Sequence, residues 1–205
     1  MALPKGRLLD EVKELFKKID IEFDTNSRKL IIDSSEEWLK FAVLRTWDIP
    51  KFVNYGAADI GIVGKDILFE SKLENNFYEL LNLSIGKCRM SLASLEKKIP
   101  DQKKIKVASK YPEFTRKYFS SKSKDFDLLI LKGAIEIAPV LGLSDCIVDL
   151  VQTGKTLKEN GLNEIEIISE ISSRLIVNKS SYKVKFERIN QIEKKLKEIQ
   201  WKILP

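Results

Sequence analysis

Apolar residues along this chain recur with two periods, and the alternation between those periods is the first guide to its fold. Leu8, Leu9, Val12, Leu15, Phe16 and Ile19 return at helical spacing and predict an amphipathic helix over residues 6–20. Arg28-Lys29-Leu30-Ile31-Ile32-Asp33 and Leu39 to Arg45 have strand character. Asp48-Ile49-Pro50 opens a short helix, proline being tolerated in a first turn. Asp59-Ile60-Gly61-Ile62-Val63-Gly64 reads as a buried strand, and Lys65-Asp66 begins another helix. Strand pattern returns near 78–96, 104–108, 126–131, 143–149 and 163–178, and helical pattern near 112–120, 133–140 and 153–160. In the stretch 183–200, Val184, Phe186, Ile189, Ile192, Leu196 and Ile199 share one helical face, with Glu193 and Lys197 paired four apart. Strands and helices alternate from end to end, which predicts an α/β protein with largely parallel sheets. The charged run 96–104 reads as an exposed loop. A division into two lobes near residue 90, with the chain crossing back around 172–178, is expected.

Composition narrows the class. At 205 residues, 43% hydrophobic and 32% charged, the chain is globular and long enough to bury a core. No apolar run approaches the ~18 residues of a membrane span, and Met1 to Gly6 lacks the apolar segment of a signal peptide. Cys88 and Cys146 cannot make a disulfide framework; they read as packing residues and fit a reducing cytoplasm. The net charge of +6 permits anionic partners, yet the basic residues are interspersed with 30 acidic ones. Without an arginine-rich arm or zinc-finger spacing, nucleic acid ranks well below small phosphates. There is no histidine, which removes histidine-based nucleophilic catalysis and imidazole ligation of zinc. Chemistry here rests on Asp, Glu, Lys, Arg, Tyr and backbone dipoles.

One segment concentrates that chemistry. Cys146 to Val151 is a short apolar strand that delivers Asp149, and Thr153-Gly154-Lys155-Thr156 then turns into a helix closed by Gly161. Such a turn aims backbone N–H groups and two hydroxyls at one spot, a phosphate cradle, while the upstream carboxylate can accept hydrogen bonds from sugar hydroxyls. The pattern predicts a ribose-5-phosphate site. Gly154-Lys155-Thr156 resembles the end of a Walker A loop, but Asp149 stands where that loop needs glycine. The local alternative is that Asp149 and Thr153 only cap the following helix. Gly133 to Pro139 places Glu136 at a second strand-to-helix junction, beside Asp149 by expectation; two such carboxylates suit a ribose diol or a magnesium ion on a pyrophosphate. Pro4-Lys5-Gly6-Arg7 puts cations at a further junction, and Arg28 and Arg45 flank strands, whose ends are where α/β sheets bind ligands. Gly56, Gly61 and Gly64 are wrongly spaced for a dinucleotide fingerprint.

Taken in order, these pieces resemble the ATP phosphoribosyltransferase family, in its short form. The resemblance runs through Ala2-Leu3-Pro4-Lys5-Gly6-Arg7-Leu8, Ser27-Arg28-Lys29-Leu30, Arg45-Thr46-Trp47-Asp48-Ile49-Pro50 and Gly56 to Asp66. It continues through Cys88-Arg89-Met90, Ser109-Lys110-Tyr111-Pro112, Gly133 to Pro139 and Asp149 to Leu162. Family members usually carry apolar residues before Ala-Leu-Pro-Lys-Gly, so the first strand should be nearly absent here; Ser109 is more often threonine. Long-form members carry a C-terminal histidine-binding domain, which is not expected in a chain of the short form.

The resemblance implies two lobes of the periplasmic-binding-protein type (type II), with mixed, largely parallel sheets and the active site between the lobes. Residues 1–90 plus 176–205 would form the ATP-side lobe and 91–175 the lobe holding phosphoribosyl pyrophosphate. It implies condensation of ATP with phosphoribosyl pyrophosphate through adenine N1, releasing pyrophosphate, with Mg2+. Thr153, Gly154, Lys155 and Thr156 would hold the 5′-phosphate, and Asp149 and Glu136 the ribose hydroxyls. Arg45, Arg28 and Lys5 would act in catalysis on the phosphates, with Arg7, Lys65 and Arg89 as further ATP or phosphate contacts. The expected partner is a histidyl-tRNA-synthetase-like regulatory subunit, in a hetero-octamer built on catalytic dimers; no nucleic acid or membrane partner is implied. A salvage-type phosphoribosyltransferase shares the Asp-x-x-x-Thr-Gly-x-Thr pattern but usually has a second acid beside the first, where this chain has Leu150. A non-catalytic two-lobed ligand-binding protein is the other alternative.

Overall fold

The computed structural model describes residues 1–25, 29–73, 77–99 and 104–203. In chain order, its first elements are β1 (Ala2–Pro4), α1 (Arg7–Lys17), β2 (Ile31–Asp33), β3 (Lys40–Leu44), a 3-10 turn (Thr46–Asp48) and α2 (Ile49–Asn54). Then come β4 (Ile60–Gly64), α3 (Lys65–Ser71), β5 (Phe77–Asn82), β6 (Cys88–Ser94), β7 (Ile105–Ser109), α4 (Pro112–Ser121) and β8 (Phe126–Ile130). The rest is α5 (Ile137–Val140), β9 (Cys146–Val151), α6 (Lys155–Glu159), β10 (Asn163–Ile171), β11 (Ser173–Asn178), α7 (Lys179–Val184) and α8 (Phe186–Ile203). Arg28 and part of the charged 96–104 run lie outside the described residues.

The elements form two compact units, Met1–Gly86 with Ser172–Pro205 and Lys87–Ile171. The crossings fall four residues before the expected 90 and 175, because β6 from Cys88 and β10 up to Ile171 pair with each other. The run 163–178 is therefore two strands of different sheets, broken at Ser172. Gly86 makes the first crossing possible. Its φ of +60° is left-handed, and a Cβ there would lie 2.8 Å from Leu8 Cδ1 and 2.9 Å from Ser173 Oγ. Its N–H donates to Glu11 Oε2 at 2.8 Å.

The first unit has a six-stranded sheet ordered β2-β3-β1-β4-β11-β5. β1, which the sequence suggested would be nearly absent, has three residues, all buried, and stands inside the sheet. It runs parallel to β3 (Ala2↔Ala42, Pro4↔Leu44) and to β4 (Ala2↔Gly61). Leu3, Phe16, Phe41, Ile62, Leu175 and Leu196 bury their side chains in its core, with Phe16 and Phe41 edge-to-face at 5.5 Å. Gly61 lets α2 approach β4, since a Cβ would fall 2.8 Å from the methyls of both Ile49 and Val53. The C-terminal stretch is two helices, not one. Asn178 caps α7 by accepting from the N–H groups of Ser180 and Ser181. The break at Lys185 leaves Val184 and Phe186 exposed, while Ile189, Ile192 and Leu196 are buried as their spacing predicts.

The second unit has a five-stranded sheet ordered β10-β6-β9-β7-β8. Ala93, Ala108, Ile147, Val151, Leu157 and Leu162 pack α6 and the turn before α5 against it. On α4, opened by Pro112, Phe119 stacks on Phe126 at 4.9 Å. Both sheets are mixed. Parallel pairing is confined to β3-β1-β4 and β9-β7-β8, and among the described residues five of the nine pairings are antiparallel. The alternating pattern overstated the parallel share because strands returning from the other unit, β11 among them, run antiparallel to their neighbours.

Candidate active site

β9 is the middle strand of its sheet, with Ser91 of β6 opposite Asp149 and Ser109 of β7 opposite Val148. Its apolar half, Cys146 to Val148, is buried, and Cys146's thiol is pushed up to about 12 by burial, so it packs rather than reacts. The chain then emerges, and Thr153, Lys155 and Thr156 are exposed. Gly154 adopts φ +77°, a left-handed turn that costs glycine little and other residues more. Thr153 Oγ1 accepts a hydrogen bond from the Lys155 N–H at 3.3 Å, and Leu157 anchors α6 in the core. Neither Asp149 nor Thr153 is the residue from which α6 starts; that residue is Gly154, with no side chain to cap. Lys155 Nζ lies 3.8 Å from Glu159, both well exposed, an ion pair of little energetic weight.

Asp149 is held by its own strand, its Oδ1 accepting from the Leu150 N–H at 2.8 Å. Burial nevertheless pushes its carboxyl up to about 6, and the charge of Glu136 adds to that push while Lys110 opposes it. The structure thus brings Glu136 and Asp149 within electrostatic reach of each other. Glu136 is half-buried just ahead of α5, after Ala134 turns the backbone through φ +49°. Lys110, directly after β7, was given no role by the sequence. The available signal was a cation at the end of a strand, followed by a proline that starts a helix. Ser109 is fully satisfied: its Oγ donates to the Val148 carbonyl at 2.6 Å and accepts from the Tyr111 N–H at 2.9 Å.

Arg89, expected as a phosphate contact, is bonded to groups of the protein itself. Its Nε and Nη2 donate to the two carboxylate oxygens of Glu164 at 2.5 and 2.7 Å, and its Nη1 donates to the Gln152 carbonyl at 3.1 Å. Ser91 Oγ joins Glu164 at 2.6 Å.

In the first unit, cations gather where β3, β1 and β4 end. Pro4 pairs with Leu44, and the Lys5 N–H donates to the Leu44 carbonyl at 2.9 Å, which sets Lys5 and Arg45 on neighbouring strand ends. Both are exposed, and among the described residues neither side chain has an ion pair. Gly6 follows at φ +83°, ψ −156°, a region open essentially only to glycine, and Arg7 begins α1. Lys65 follows β4, but its ammonium is bonded to Glu79 at 2.6 Å, and Glu79 also takes Arg174 Nε at 2.8 Å. Among the described residues no three Cys, Asp or Glu side chains converge to hold a metal ion, and no helix is long and apolar enough to cross a membrane.

The architecture is that of the periplasmic-binding-protein type. A probable amino-acid ABC transporter extracellular-binding protein from Bacillus subtilis shares it at TM-score 0.59 and 13% identity, over 95% of this chain and 82% of that one. A nearer likeness has a TM-score of 0.82 and 34% identity over 97% and 96% of the two chains. It is to the ATP phosphoribosyl transferase (HisG:HisZ) complex from Thermotoga maritima. ATP phosphoribosyltransferase of Citrifermentans bemidjiense is 47% identical, covering 94% of this chain and 93% of that protein. ATP phosphoribosyltransferase 2 of Geobacter sulfurreducens is 46% identical over the same shares. The family model HisG, ATP phosphoribosyltransferase, matches residues 45–198. The chain belongs to the ATP phosphoribosyltransferase family.

Proposed function

We propose that this chain catalyses the family's reaction in histidine biosynthesis, joining ATP to phosphoribosyl pyrophosphate to give N1-(5-phosphoribosyl)-ATP and pyrophosphate. The lone pair of adenine N1 forms the new bond to C1′ of the ribose as the C1′–O bond breaks, its electron pair leaving with pyrophosphate. N1 needs no strong base, which suits a chain without histidine. The work left to the protein is positioning and charge stabilisation.

The observation that carries this reading is the half-buried Asp149 followed by an exposed Thr-Gly-Lys-Thr turn with glycine left-handed. In the proposed roles, Thr153, Gly154, Lys155 and Thr156 hold the 5′-phosphate, and Asp149 and Glu136 accept from the ribose hydroxyls. Arg45 and Lys5, with Arg28, act on the departing pyrophosphate or the ATP phosphates; Arg7 and Lys65 add positive charge. Magnesium carried on the substrates' phosphates would supply neutralisation of the leaving group. The chain works in the cytoplasm with a histidyl-tRNA-synthetase-like regulatory subunit, in a hetero-octamer built on catalytic dimers. The Thermotoga maritima complex supports a two-component assembly.

The test is turnover of ATP and phosphoribosyl pyrophosphate with magnesium and pyrophosphatase, with and without the regulatory subunit. Phosphoribosyl-ATP is the expected product. Its absence under both conditions, with the chain folded and partner bound, overturns the reading.

A further inference from the structure

Arg89 occupies an unusual place for an arginine next to a phosphate-binding turn. Its guanidinium is spent on protein acceptors: two donors clasp Glu164 and a third reaches the carbonyl of Gln152, the residue that opens the turn. Arg89 and Glu164 are 75 residues apart, and about a quarter of either side chain is exposed, so the clasp is partly covered and bidentate. Fork-to-fork geometry fixes direction as well as distance, and lysine cannot reproduce it. The network continues inward. Ser91, which is 1% exposed, donates to the same Glu164 and stands in register with Asp149 on the neighbouring strand. A Cβ on Gly154 would come within 3.9 Å of Arg89 Nη2, so the guanidinium also lies against the turn itself.

We propose that Arg89 is a positioning residue: clamped by Glu164, it holds the Gln152–Thr156 turn in its phosphate-binding form and so sets the affinity for phosphoribosyl pyrophosphate without touching ATP. This rests on the reading that the turn binds the 5′-phosphate. Glu164 belongs to the same device, although no ligand need reach it.

The experiment measures KM for each substrate and kcat in the full chain for wild type, Arg89→Lys, Arg89→Ala, Glu164→Gln and the double variant Arg89→Ala/Glu164→Gln. Binding of phosphoribosyl pyrophosphate is followed by titration calorimetry. Arg89→Ala should raise KM and Kd for phosphoribosyl pyrophosphate about tenfold, the scale of a lost charged hydrogen bond, with KM for ATP within about twofold. Glu164→Gln should shift the same constants in the same direction by less, and Arg89→Lys should recover part of the loss. The double variant should be no worse than Arg89→Ala alone, since both changes cut one device. A rise in KM for ATP on Arg89→Ala, with Glu164→Gln silent, would make Arg89 a direct ATP contact and overturn the proposal. Equal loss of kcat with both KM values unchanged would show only a smaller folded fraction, and also overturns it. Should Arg89→Ala not fold, Glu164→Gln and Arg89→Lys decide by the same split. Wild-type protein without turnover would sink the functional reading itself, whereas active wild type with unaltered variants sinks only the role of Arg89.

Discussion

The strand ends of the two units carry differently prepared chemistry. After β3 and β1, Arg45 and Lys5 stand exposed with no ion pair among the described residues. In β9 and the turn that follows it, three features are already held: Asp149 by the Leu150 N–H, Thr153 by the Lys155 N–H, and the Gln152 carbonyl by Arg89. In the proposed roles the turn takes the ribose 5′-phosphate end of its substrate, a small target that a prearranged cradle would bind at little ordering cost. The departing pyrophosphate, in the same proposed roles, meets the exposed cations after β3 and β1, whose charge stabilises the charge it gains. The comparison teaches that, in the proposed roles, the sugar phosphate meets groups already bonded within the protein, whereas the leaving group meets cations left exposed.

Removing a cation after β3 should have the largest effect. Arg45→Ala is expected to lower kcat about 10²–10³-fold, the scale of losing one preorganised donor, while the denaturation midpoint stays put. Steady-state kinetics beside a urea titration checks both. Unchanged turnover would remove Arg45 from the mechanism.

On the prearranged side, Asp149→Asn should separate function from stability. The Asp149 carboxyl is raised from its ordinary value to about 6, chiefly by burial, so the folded state holds its proton more tightly than the unfolded chain. Asp149's own contribution to wild-type stability therefore falls as pH rises from about 4 to about 6, then levels off. Asparagine keeps the acceptor for the Leu150 N–H and carries no charge. The variant should match wild type below about pH 4 and exceed it by ~2 kcal/mol above about pH 6, while losing affinity for phosphoribosyl pyrophosphate. Denaturant titrations across that window decide; equal stability at neutral pH would contradict it.

Two glycines test the backbone on either side. Gly6→Ala forces a side chain into a conformation reserved for glycine and should cost about 1–3 kcal/mol, although nothing lies within 4 Å of the added carbon. Gly154→Ala, at φ +77° with 3.8 Å to its nearest neighbour, should cost ~1 kcal/mol and raise KM for phosphoribosyl pyrophosphate, because the turn relaxes. Smallest of all, Glu159→Gln should change stability by less than ~0.5 kcal/mol, its partner Lys155 being 80% exposed.

Local signals carried far in this chain. The helical repeat of Val12, Leu15 and Phe16, the prolines that open α2 and α4, and the strand–turn–helix around Asp149 and Gly154 are all legible, because each depends on residues a few positions apart. The Glu193–Lys197 pair, at 2.6 Å, is another such case. Three local readings went astray for reasons of packing. β1 is short but secure because two parallel neighbours flank it. Val184 left the buried face because a second helix begins at Phe186. The share of parallel pairing was overstated because strand direction depends on the route between units, which periodicity does not encode.

What the sequence determined by itself, then, was most of the order of elements, a chemistry without histidine and the strand–turn–helix that carries Asp149 and Gly154, all consequences of residue type and short-range spacing. What only the tertiary structure decided was which groups meet. Arg89 clasps Glu164 across 75 positions, Lys110 after β7 and Glu136 before α5 act on the charge of Asp149, and Lys65 is drawn onto Glu79. Such meetings depend on strand order and register, and those are settled by burial of the whole sheet rather than by any segment of it.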